Sequence, residues 1–168
     1  GICALIQLRK AQPLDATLVT GVKRDINLLS KVDAASGDRI TVLDVSMDTN
    51  KAALDRALAR DATVLYVDHH FSGDIPRHPN LTAIINEAAD VCTAVLVNGH
   101  LKGRHLDWAV TGAFGDNLKD TAQSLAKGLD ISPADLASLE ALGTYINYNG
   151  YGPALPDLHF DPKELYLK

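Results

Sequence analysis

Ala62-Thr63-Val64-Leu65-Tyr66-Val67-Asp68-His69-His70 is a short apolar run that ends on an acid and two imidazoles. The run from Ala62 to Val67 is followed by a loop containing Gly73 and Pro76, so it predicts a buried strand with its polar end at the carboxyl terminus. Open α/β sheets bind their ligands outside the carboxyl ends of strands. Imidazole and carboxylate are also ligands that suit divalent transition metals. One histidine at such a place is most often a plain strand end. Two adjacent histidines after an aspartate favour a metal-binding or catalytic site.

The pattern on either side completes an α/β fold. Ile40–Val45 and Leu81–Ile85 predict further strands, and the β-branched stretch Asp15–Val22 predicts another. Helices are expected over Gly1–Lys10, from a cap at Thr49 or Asn50 to about Arg60, and over Ala88–Val97, His105–Phe114, Thr121–Leu129 and Pro133–Tyr145. Ser132 followed by Pro133 is a good start signal for the last of these. Asp25–Val32 predicts a short helix or turn, and Pro162–Leu167 a terminal turn. Strands alternating with helices imply a parallel sheet. The expected architecture is therefore a three-layer parallel α/β sheet with a helical C-terminal half, in one domain spanning 1–168. The chain opens on a helix pattern, so a first strand is expected ahead of Gly1.

Composition excludes some classes. The chain has 168 residues, 46 % hydrophobic and 22 % charged, with a formal net charge of −5. That is ordinary for a soluble globular domain. No apolar run reaches the roughly 18 residues of a membrane span, and the N-terminus lacks the basic segment of a signal peptide. The acidic balance argues against general affinity for nucleic-acid backbone. Cys3 and Cys92 are isolated and expected to be reduced core residues of a cytoplasmic protein, although spacing alone leaves a disulfide open.

Two further acids join the triplet. Asp44 ends the Ile40–Leu43 run as Asp68 ends its own, so two parallel strands aim carboxylates at one edge of the sheet. Asp116 lies in Thr111-Gly112-Ala113-Phe114-Gly115-Asp116-Asn117, after an apolar helix. Gly-Asp-Asn is also common turn chemistry, so Asp116 gains meaning only beside the others. Ser46 and Asn50 are candidates for substrate contact and equally for helix caps. Thr93 opens a helix whose amides suit a phosphate, with a plain helix start about as good an account. Asn117 is the neighbouring candidate for substrate contact.

In this order and spacing, Leu43-Asp44-Val45-Ser46, Asp68-His69-His70 and Gly115-Asp116 resemble the motifs of the DHH phosphoesterases. That superfamily includes RecJ-like exonucleases, oligoribonuclease-like and cyclic-dinucleotide phosphodiesterases, exopolyphosphatases and family II inorganic pyrophosphatases. The resemblance covers most of the chain and implies a two-metal hydrolase, with Mn2+ or alternatively Mg2+, two ions per complete site. It implies that Asp44, His69 and Asp116 bind metal, that His70 faces the phosphate, and that Asp68 orients an imidazole. His70 and Asp68 are then the catalytic pair, and Ser46, Asn50, Thr93 and Asn117 the substrate contacts. The family's first motif, Asp-x-Asp, is expected just upstream of Gly1, and members usually carry a C-terminal substrate domain as well. The implied substrate is a nucleotide, short oligonucleotide or polyphosphate, that is, a phosphorylated small molecule or short nucleic acid. The alternative is a non-catalytic module that binds a nucleotide or a metal and regulates, with the remaining ligands holding one metal weakly or none.

Overall fold

The computed structural model describes residues 1–167. Its sheet has three parallel strands in the order β1 (Arg39–Leu43), β2 (Thr63–Asp68) and β3 (Leu81–Ile85). Arg39 pairs with Thr63 and Leu43 with Val67, while Val64 pairs with Leu81 and Asp68 with Ile85. β2 is thus the central strand, and its last residue is the acid of the triplet. The three strands are contiguous, so no strand intervenes between β1 and β2.

Alternation along β2 explains the layers. Val64 and Tyr66 are buried against α2 (Met47–Ala59), in a core with Val42, Met47, Leu54 and Leu58. Val67 and the half-buried Leu65 point the other way, into a cluster with Ala4 and Leu8 of α1 (Ile2–Ala11) and Val97 of α3 (Thr93–His100). A parallel strand covered on both faces reads as a near-continuous apolar run, and Val64–Val67 is one. The remaining helices are α4 (Leu106–Gly115), α5 (Lys119–Ala126), α6 (Pro133–Asn149) and α7 (Pro162–Leu167). The first three extend the α1–α3 side through a second core that includes Cys3, Cys92, Val110, Ala113 and Phe114, and α7 lies against α1. Among the described residues no helix is long and apolar enough to cross a membrane.

Several expectations are corrected. Asp15–Val22 is irregular rather than a strand. β propensity measures fit to a pleated, half-buried surface; here Val19 is exposed and only Val22 is buried. The backbone hydrogen bond just beyond this stretch runs from Lys23 N to Gly150 O instead of to a neighbouring strand. α2 begins at Met47, so Thr49 and Asn50 lie inside it and cap nothing. Asn50 is buried: its Oδ1 accepts from Leu29 N, and its Nδ2 donates to the carbonyls of Ile26 and Ser46. It clamps the 26–29 segment, including the start of a 3-10 turn at Leu28–Lys31, against α2. α3 starts at Thr93, five residues later than the Ala88 expected from apolar spacing, with Cys92 at the N-cap position. α6 runs on past Tyr145 to Asn149. Both cysteines are free and buried.

Candidate metal centre

The carboxyl ends of β1 and β2 lie side by side, because Asp44 N still donates to Val67 O one residue past the ladder. Asp44 itself adopts a left-handed backbone, φ 67°. A non-glycine residue held there stores local strain of a kind that concentrates at functional sites. The turn brings its carboxylate to Thr93, whose Oγ1 donates to Asp44 Oδ1 at 2.6 Å. The Gly1 nitrogen donates to Oδ2 at 2.5 Å. Burial would raise the Asp44 pKa. The Gly1 N–H, the Thr93 hydroxyl and His69 oppose it, each favouring the carboxylate.

The two histidines are held differently. His69 Nδ1 is 2.8 Å from the Val91 carbonyl. A carbonyl only accepts, so Nδ1 carries the proton and Nε2 is left to face the site. Nε2 lies 3.6 Å from Asp44 Oδ1 and 3.5 Å from Asp116 Oδ2. A neutral imidazole would turn a lone pair towards two carboxylates, an arrangement that calls for a cation between them. An ion with bonds of about 2.1 Å has ligand-to-ligand edges of about 3.0–3.5 Å, close to the separations observed. A metal-bound histidine anchored through its other nitrogen to a backbone carbonyl is also a recurrent arrangement.

His70 turns its Nδ1 to Asp68 Oδ1 at 2.7 Å. That hydrogen bond raises the His70 pKa, against a smaller opposing effect of burial. Asp68 is fully buried, and its Oδ2 has no hydrogen-bond partner among the described residues. The two rings sit 4.5 Å apart, centroid to centroid. One ligand atom each from Asp44, His69 and His70 falls within 4.8 Å of the others, so these three form a group able to hold a metal ion. The donors are oxygen and imidazole nitrogen, the set that suits Mg2+, Mn2+ and related ions. The thiols stay out of it: burial pushes Cys3 up to about 11 and raises Cys92 as well.

The structure therefore brings Asp44, Asp68, His69, His70, Thr93 and Asp116 together. Asp116 arrives from the helical half, directly after Gly115 at the end of α4, with its backbone N–H closing the helix on Gly112 O. Asn117 follows in a left-handed turn, φ 61°, and is exposed. Ser46 is at the rim, where its Oγ donates to Phe71 O at 2.8 Å. Asn50 is not part of the cluster; its amide is spent on the backbone bonds described above. Two contributors have no counterpart in the sequence reading. Val91 acts through its carbonyl, which every residue type has, so no signal marks it. Phe71, 66 % exposed beside His70, is marked only by being an aromatic residue directly after the triplet.

Comparison of the chain with known protein families, with curated proteins and with solved structures finds no match.

Proposed function

We propose that the chain is a metal-dependent phosphoesterase that hydrolyses the phosphodiester or phosphoanhydride bond of a nucleotide, short oligonucleotide or polyphosphate. One observation carries this: His69, pinned by a backbone carbonyl, aims Nε2 between two carboxylates, one directly after β1 and one at the end of α4. The likeness of the Asp44, Asp68-His69-His70 and Asp116 motifs to the DHH phosphoesterases supports the same conclusion. Asp44, His69 and Asp116 would hold the first cation, with Mn2+ the preferred ion. The second cation of a complete site needs carboxylates beyond these three. Bound cations of this kind neutralise phosphate charge and lower the pKa of a coordinated water.

The chain's own residues then have separable tasks. Asp68 fixes the ring of His70 and favours its protonated form, which gives His70 a proton to offer a phosphoryl oxygen through Nε2. Thr93 orients the Asp44 carboxylate. The free amides at the start of α3 lie beside it and suit a phosphate oxygen.

The test uses the full-length protein with Mn2+ and a generic phosphodiester. Hydrolysis is expected to fall by about a thousandfold in His69→Ala and in Asp44→Ala, since a bound cation supplies several kcal/mol to such a reaction. Activity that survives both substitutions would refute the assignment. Tight Mn2+ binding by calorimetry without any turnover would instead favour a non-catalytic metal- or nucleotide-binding module.

A further inference from the structure

Phe71, Ser72 and Asp74 in the loop after His70 are each held by hydrogen bonds, yet one large ring is left in water. Ser46 Oγ donates to Phe71 O. The backbone N–H and the hydroxyl of Ser72 both reach Glu87 Oε1, at 2.9 and 3.0 Å, and Ser72 is buried. Gly73 turns through a left-handed φ of 61°, where a side chain would be strained and would push Asp48 aside. Lys51 Nζ donates to Asp74 O at 3.0 Å. Phe71 is nevertheless 66 % exposed.

A single exposed aromatic on a free loop is unremarkable surface chemistry. This one differs in two respects. Its backbone is already ordered, so little further entropy is lost when a flat ligand settles on it. It is also the residue directly after His70, and its carbonyl is held by Ser46, two residues beyond Asp44, so its backbone stands at the rim of the candidate site. Aromatic side chains beside phosphate sites stack nucleobases with little regard to sequence, because every base has a π-face.

We infer that Phe71 is a stacking platform for a nucleobase joined to the phosphate at His70, so that the site selects nucleotides and short oligonucleotides over inorganic polyphosphate. The inference rests on the phosphoesterase reading for the identity of the phosphate site, and deepens it by naming the substrate class. An acidic chain with one neutral aromatic at the rim recognises a base by its face, without a basic track for a long backbone.

The test is a ratio. The full chain with Mn2+ is titrated calorimetrically with adenosine 5′-monophosphate and with ribose 5-phosphate, which share the phosphate and sugar and differ by the base. The wild type is expected to prefer the nucleotide on the order of tenfold. Phe71→Ala should bring the ratio close to one, and Phe71→Trp should keep it. Reading the ratio within each variant cancels any general loss of folded protein. Equal binding of the two ligands by the wild type, no binding of either, or an undiminished ratio in Phe71→Ala, overturns the inference. A Phe71-dependent preference in a protein that hydrolyses no phosphodiester would refute the phosphoesterase reading and leave the stacking platform standing. Hydrolysis with no preference for a base-bearing substrate would do the reverse.

Discussion

The sheet half and the helical half are held together by opposite means. In the sheet half, β1 and β2 are kept at their distance from α2 by large side chains: Met47, Leu54, Leu58, Val64 and Tyr66 are buried between them. In the helical half the core is mostly small, with Cys3, Cys92, Ala94, Ala113, Ala122 and Ala126. There the helices touch almost backbone to backbone. A Cβ added at Gly143 in α6 would stand 2.2 Å from Thr111 O and 2.8 Å from Gly115 N in α4. One added at Gly112 would stand 2.4 Å from Ala94 Cβ. The first half is thus a problem of filling volume and the second a problem of clearance. The candidate site straddles the two, taking Asp44, Asp68, His69 and His70 from the first and Thr93 and Asp116 from the second.

That contrast can be broken by two substitutions to alanine. Leu54→Ala empties volume in the sheet half and is expected to cost about 3 kcal/mol of stability, as buried Leu truncations do. The strand ends remain anchored by their ladder, so Mn2+ affinity should hold. Gly143→Ala adds volume where there is none. It is expected to cost about 2 kcal/mol, in the range of overpacking. It should also weaken Mn2+ binding, because α4 must move and Asp116 follows Gly115 directly. Urea denaturation gives the first pair of numbers and calorimetry the second. Equal loss of metal affinity in both variants would show that the halves are not separable in this way.

A third substitution sharpens the comparison inside the site. His69 is oriented by main chain and His70 by a side chain, so only the second support can be removed by mutation. Asp68→Asn is expected to lower turnover by about 10- to 100-fold, the usual scale for losing a partner that orients a histidine at such a site. A change of less than about twofold would mean that the Asp68–His70 pair serves the fold alone.

What the sequence displays follows the same division. The three observed strands agree with their apolar runs to within a residue or two, because strands of a covered parallel sheet read as near-continuous apolar runs. Asp15–Val22 has the same look and forms no strand, since pairing depends on partners that local composition does not record. The starts of α2 and α3 were poorly legible, and neither is capped by a side chain. Ser46 precedes α2 but gives its hydroxyl to Phe71, and Cys92 opens α3 with no cap bond of its own. Side-chain chemistry at the strand ends was visible as the triplet and Asp44. The Val91 carbonyl was not, and neither was the clearance at Gly143 that positions Asp116.

The smallest expected effect concerns the one helix start that both sequence and structure mark. Ser132 Oγ accepts from Asp135 N at 3.1 Å and donates to Asp135 Oδ2 at 2.7 Å, while Ser132 N donates to the same carboxylate oxygen. These bonds, the side-chain one first, hold the Asp135 pKa below its usual value. A depressed carboxylate contributes stability above its unfolded pKa and loses it as pH falls through the folded value. Ser132→Ala is accordingly expected to cost about 1 kcal/mol at neutral pH. The penalty should shrink as the solution is taken below the ordinary aspartate range, about pH 3.9, because the wild type loses part of the same box there. Thermal melts of both proteins at neutral and acid pH measure this. The cap lies at the start of α6, outside the stretch around Gly143 that crosses α4, so Mn2+ affinity should be indifferent to it. A Ser132→Ala variant that bound metal as poorly as Gly143→Ala would locate the helical half's control of Asp116 in the whole of α6 rather than in one close crossing.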